Sequence, residues 1–253
     1  MILDLQKASL LKRASAFLLD AILLVVLATG FFYIISVVTG YEQHRLVVAE
    51  ATERISQEYG VTAEMTSKSY EELTEVEIAA INAADKALQS DAAACRAYAM
   101  VANLSTLIVS LGLLLAFVLL EFVVPLLFGN GQTLGKKIFG IAVMHIQGVK
   151  LGHVALFTRT VLGKYAVETM PLALSALYLI SGLGSPVFLL IGAALLLVQL
   201  IVVIVSHENA LLHDKMAVTV TVDLASQMIF DTYDQLLDYK KKMHAEKAAS
   251  QPY

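Results

Sequence analysis

An aspartate stands inside the first long apolar run of the chain: Asp20, in "KRASAFLLDAILLVVLATGFFYIISVV" (12–38), about two helical turns beyond Arg13. A carboxylate inside a membrane span costs roughly 2.5–3.5 kcal/mol on insertion scales, so it must face other protein groups and pair with them. Related groups recur along the chain. Glu121 lies near the end of a second apolar run, Glu168 at the start of a third, and Asp214 shortly after a fourth. Two carboxylates held near one another share a proton or bind a cation, which is the chemistry that couples a proton flux to an ion flux. Arg159 and Lys164 supply cationic partners. Arg13 and Asp20 lie on one helix face, but at about 1.5 Å rise per residue they stand roughly 10 Å apart along the axis, too far for direct pairing. Arg13 can instead reach Asp214 below, because a guanidinium holds a carboxylate with two parallel hydrogen bonds. The expectation is an inner-leaflet polar cluster in which Asp20 has Arg13 and Asp214 as its charged neighbours, with Glu121 farther off. Each residue also has a plainer role: interface snorkelling for Arg13, helix packing for Glu121, and first-turn dipole stabilisation for Glu168.

The elements that must position these residues are membrane helices. The chain is 58% hydrophobic and 16% charged over 253 residues, against about 25% charge in an average soluble domain. Runs of about 20 apolar residues mark spans. They occur at 14–38, 99–128 and 187–205, with a shorter third at 165–180 that reaches adequate length only if extended to Gly184, ahead of Ser185-Pro186. The predicted fold is an all-α four-span helical bundle with a protruding extracytoplasmic helical hairpin and a small two-strand cytoplasmic element. Its parts are an N-terminal segment and first span (1–40), the hairpin (41–98), the second span (99–128), a cytoplasmic loop with a short strand (129–164), the third and fourth spans (165–205), and a C-terminal strand and helix (206–253).

Lys and Arg set the orientation. Lys7, Lys12 and Arg13 precede the first span; Lys136, Lys137, Lys150, Arg159 and Lys164 fall in 129–164 without any Asp or Glu; Lys215, Lys240, Lys241, Lys242 and Lys247 follow the last span. Segment 39–98 carries five Lys/Arg against eleven Asp/Glu. Both termini are therefore expected in the cytoplasm of a multi-pass inner-membrane protein. The outer segment reads as two helices turning around Gly60–Ser69, with capping-box spacing at Ser69 and Glu72 and no breaker before the second span. On the inner side, "GIAVMHIQG" and "MAVTVTVD" alternate with β-branched residues, and Ile141–Ile146 is expected to pair with Ala217–Val222. The stretch 224–249 reads as a helix ending in the basic "YKKKMHAEK", suited to anionic lipid.

Three stretches carry a resemblance. "LLKRASAFLLD" has an Arg-x-x-Ala-x-x-x-Asp pattern, "GQTLGKKIFGIAVM" follows the second span, and "ALLHDKMAVTVTV" follows the last. Together they resemble the RDD family of small bacterial membrane proteins, named for one arginine and two aspartates. The resemblance implies Arg13 as the arginine, Asp20 as the first aspartate and Asp214, after His213, as the second. Gly131, Gln132, Thr133, Leu134, Gly135 and Lys136 match the central motif. It implies transport for some members, including sodium–proton antiport, and a place in membrane protein complexes for others.

Two functions follow. One is a monovalent cation/proton antiporter built on the intramembrane carboxylates. The other is a non-transporting assembly or adaptor subunit that meets a membrane-protein partner through the outer hairpin. Gly112 and Gly192 are small enough for close helix contact in a homo-oligomer. No enzyme, cofactor, metal or nucleic acid is expected. There is one cysteine, no histidine pair has ligand spacing, and "GQTLGKK" lacks the spacing of a phosphate loop.

Overall fold

The computed structural model describes residues 5–181, 186–206 and 210–250. The chain is mostly helical, at 77%, with a small two-stranded sheet. It divides into two compact units, one of residues 1–31 and 110–253 and the other of residues 32–109. Among the described residues, two helices are long and apolar enough to cross a membrane: α1 (Leu10–Thr39), and the continuous Ala92–Phe128.

In residues 32–109, α1 ends where Gly40 adopts a left-handed φ of 68°, and α2 (Tyr41–Glu58) begins. A short α3 (Ala63–Ser67) follows. The Ser69–Glu72 box starts only a 3-10 turn, Tyr70–Glu72. The long helix here is α4 (Glu75–Ser90), whose start is a second capping box: Thr74 Oγ1 accepts from the Glu77 N–H, and the Glu77 carboxylate accepts from the Thr74 N–H. α2 and α4 pack on each other. The segment does contain a breaker, contrary to the sequence reading. Asp91 leaves the helical region, and its carboxylate accepts from the Ala93 and Ala94 N–H groups, opening α5 (Ala92–Phe117) as an N-cap.

The other unit holds the rest. The second apolar helix runs on from α5 through a π-helical stretch, Val118–Val123, into α6 (Val124–Phe128). After α7 (Leu134–Ile138) and strand β1 (Ile141–His145), a helix starts far earlier than the apolar pattern suggests. It comprises α8 (His153–Phe157), a second π-helical stretch (Thr158–Thr169) and α9 (Met170–Ile180). Residues 153–164 are thus helix, not loop; their polar side chains hide the helix from a hydropathy reading. The 182–185 link lies outside the described residues. Beyond it come α10 (Pro186–Val205), α11 (Leu212–Met216), β2 (Thr219–Asp223) and α12 (Tyr233–Ser250). The last helix is shorter than 224–249 suggests, because Phe230 leaves helix to bridge Val149. Gly192 serves an intrachain contact, lying against Leu172 and Ser175 of α9.

β1 and β2 pair antiparallel, with Ile141 opposite Asp223 and His145 opposite Thr219. Ala217 and Val218 fall short of the ladder, because Val218 turns the chain out of α11 at a φ of 54°. Both sheet faces are buried. Ala142, Met144, Val220 and Val222 form one core with Leu5 and Ile229, while Ile141 packs with Ala8 and Ala16 on another. Strand parity then aims Thr219 away from the Val220 face, toward Arg159 and Asp214. Lys12 fastens α1 to the sheet by an ion pair with Asp223 at 2.5 Å.

Candidate functional site

The cluster forms where α1, the two π-helical stretches, α7, α11 and β2 bring their charged residues together. Asp214 is its deepest member, only 1% exposed. Its Oδ1 accepts from Arg159 Nη2 at 2.7 Å and Nε at 3.0 Å, and from the Thr219 hydroxyl at 3.1 Å. Its Oδ2 accepts from the Leu211 N–H and lies 3.8 Å from Arg13 Nη2. One carboxylate therefore caps its own short helix and joins α1, the second π-helical stretch and β2. Burial alone would raise the Asp214 pKa, but the charges of Arg159 and Arg13 and the Arg159 hydrogen bonds hold it below the ordinary aspartate value.

His213 is equally enclosed. Its Nδ1 lies 2.8 Å from Glu168 Oε2, and its Nε2 lies 3.3 Å from Arg159 Nη2. A guanidinium only donates. Nε2 must therefore accept, so the ring is neutral and its proton sits on Nδ1, donated to Glu168. Burial and the Arg159 charge lower the His213 pKa and keep this tautomer. Glu168 also accepts from the His213 backbone N–H at 2.8 Å and from the Gln199 side chain.

Glu121 occupies a separate compartment. Lys164 Nζ donates to its Oε2 at 2.6 Å, and Lys136 Nζ lies 3.9 Å from the same oxygen. Lys136 is 8% exposed, and its Nζ has no hydrogen-bond partner among the described residues. Burial, then repulsion from Lys164, pull the Lys136 pKa down to about 7, although Glu121 opposes the shift.

Asp20 overturns an expectation. Its hydrogen bonds go to neutral donors rather than to the charged neighbours expected for it. Its Oδ1 accepts from the Gly135 N–H at 2.7 Å and its Oδ2 from the Thr133 hydroxyl. Both donors belong to the first turn of α7, where free N–H groups favour a carboxylate. Thr133 in turn caps α7 by accepting from the Lys136 N–H. Gln132 donates from Nε2 to the Ile141 carbonyl at 2.8 Å, tying this motif to β1. Gly131 has a φ of 60°, and a Cβ there would stand 3.0 Å from the Val143 carbonyl oxygen. Leu134 is the first residue of α7. Arg13 and Asp214 meet as expected; Asp20 and Glu121 are held by different partners.

Sequence reasoning missed Gln199 and Thr219. Gln199 had a signal, being the one amide side chain in the otherwise apolar α10. Thr219 had none until strand register was known.

A family model described as the RDD family matches residues 7–218. The chain belongs to the RDD family. No curated protein and no solved structure matches it. The match spans Arg13, Asp20, the 131–136 motif and Asp214. The family and the two long apolar helices mark a membrane protein.

Lys136 gives this RDD protein a measurable signature. Its folded pKa lies below its unfolded value, so the burial cost is fully present below about pH 7 and is relieved as pH rises toward the unfolded lysine value. Stability should rise by about 1.4 kcal/mol per pH unit across that window from this group alone. The Lys136→Met protein lacks the term. Between about pH 7 and 9 the wild type should gain roughly 2–3 kcal/mol relative to it in denaturant unfolding of the detergent-solubilised protein. Parallel pH profiles would show that Lys136 is not buried as a charge.

Proposed function

We propose that this RDD protein is a four-span inner-membrane transporter, with both termini cytoplasmic, that exchanges a monovalent cation for a proton at the Glu121–Lys136–Lys164 group. The observation that carries the reading is the Lys136 ammonium, buried beside Glu121 without a hydrogen-bond partner among the described residues. In the cluster, Arg13, Lys136, Arg159 and Lys164 balance Asp20, Glu121, Glu168 and Asp214, with His213 neutral. A low-dielectric site resists any change in its net charge. Loss of the Lys136 proton as a monovalent cation enters beside Glu121 leaves that sum unchanged. The two ligands then exclude each other, because both place positive charge beside one carboxylate, and such mutual exclusion is what couples their fluxes.

The test is reconstitution into proteoliposomes with an internal pH dye and pulses of sodium, potassium and lithium. One proton should leave per cation entering, with no dependence on a clamped membrane potential. Lys136→Met should abolish the exchange in a folded protein. Absence of flux with all three ions moves the assignment to the second reading, an assembly or adaptor subunit of a membrane protein complex. That reading is favoured by the cationic partners of Glu121 and Asp214 and by the separate unit of residues 32–109.

A further inference from the structure

Both π-helical stretches stop just before a proline. Val118–Val123 is followed by Pro125, and Thr158–Thr169 by Pro171. A proline ring inside an α-helix clashes with the carbonyl four residues earlier, and a widened turn relieves the clash. Those carbonyls belong to Glu121 and Val167. The residue at the end of each stretch closes a five-residue bond, Val124 N–H to the Leu119 carbonyl and Met170 N–H to the Tyr165 carbonyl. The two stretches pack on each other. The second is far longer than the single-turn bulge in which π-helix usually occurs.

The register of that second stretch decides which charges meet. Arg159, Lys164 and Glu168 bond to partners on other elements: Asp214, Glu121 and His213 respectively. At about 100° per residue, an α-helix would turn Lys164 about 140° and Glu168 about 180° away from Arg159. A π-helix, with about 4.4 residues per turn, brings them back within about 50° and 20°. Gly163 lets His213 lie against this face; a Cβ there would stand 2.6 Å from His213 Cβ. On the other side of the stretch, Leu162 and Ala166 are exposed. In α register anchored at Arg159, these two would turn inward.

We propose that Thr158–Thr169 is a two-register element: the π register gathers Arg159, Lys164 and Glu168 on the cluster, and a change to α register withdraws Lys164 and Glu168 together while Arg159 keeps Asp214. The ion pairs hold the rarer helix form, and the helix form aligns the ion pairs. Weakening either should release both. The element supplies the exchange reading with a moving part but does not depend on it.

The experiment reads register directly, without flux. In a Cys95→Ala background, Leu162→Cys is labelled with a small trifluoroethylthio group and followed by fluorine NMR of the full chain in lipid nanodiscs. Dissolved oxygen, which concentrates among lipid chains, reports the exposure of the label. The parent should show one dominant resonance with strong oxygen relaxation. Glu121→Gln, Lys164→Met and Pro171→Ala, each confirmed as monodisperse, should shift the population ratio by about tenfold or more toward a second, oxygen-shielded resonance. Pro171→Ala leaves every charged partner in place, so it tests the helix form separately from the ion pair. One unchanged resonance across the folded variants would overturn the proposal and leave the exchange reading standing. Absence of flux, with the resonance shift present, would do the reverse.

Discussion

Arg159→Met should destabilise the protein by roughly 3–5 kcal/mol, the cost of stranding one partner of a buried ion pair. Asp214 would keep the Thr219 hydroxyl and the Leu211 N–H but lose both short guanidinium bonds, and Arg13 at 3.8 Å is too far to replace them. His213 Nε2 would lose its donor as well. Thermal unfolding in detergent should fall by roughly 10 °C, at about 2–4 °C per kcal/mol for a chain of this size. Arg159→Lys should recover only part of the loss, because an ammonium cannot reproduce a fork reaching both Asp214 and His213. The double variant Arg159→Met, Asp214→Asn should be more stable than Arg159→Met alone, since no carboxylate is then stranded. A double variant as unstable as the sum of its singles would mean that the two residues act independently.

How far the sequence discloses this arrangement depends on which interactions are local. The β1–β2 pairing is legible because alternation of Val with Thr is a local signal and the ladder needs a partner nearby. The second strand starts at Thr219, two residues later than expected, because Val218 is spent on a positive-φ turn, which a β-branched residue does not announce. The charged roster is legible too, since a carboxylate in an apolar run must be satisfied. The pairings are not. Helix periodicity assigns Arg159, Lys164 and Glu168 to different faces, and only the wider π turn puts them on one. The visible clue was Pro171, which weakens the third span in a hydropathy reading and accounts in the fold for the widening that precedes it.

Asp20 was misassigned for a related reason. Charge suggests charge as its partner, yet the free N–H groups of a helix start serve a carboxylate equally well and need no cationic side chain to advertise them. The motif at 131–136 forms a socket. Gly131 makes its turn, Gln132 ties it to β1, and Thr133 and Gly135 offer donors to Asp20. Lys136 then emerges from the same turn toward Glu121.

Gly135→Ala should therefore be among the most damaging small substitutions in the chain, costing about 3 kcal/mol or more, at the upper end of overpacking effects. The added Cβ would stand 2.3 Å from the Ala16 carbonyl oxygen and 2.9 Å from Asp20 Cγ. The first contact is backbone to backbone, so no rotamer change relieves it, and separating α1 from α7 would break both hydrogen bonds to Asp20. Asp20→Asn should be milder, at about 1 kcal/mol. Its Oδ1 still accepts from Gly135 and its amide can donate to the Thr133 hydroxyl, so it loses mainly the favourable charge at the start of α7. Denaturant unfolding of both variants gives the order directly: Gly135→Ala well below Asp20→Asn, and Asp20→Asn close to wild type. If Gly135→Ala proved as stable as wild type, α1 would not be seated on α7 at this glycine. If Asp20→Asn proved the worse of the two, the charge rather than the close approach would be holding the first span in place.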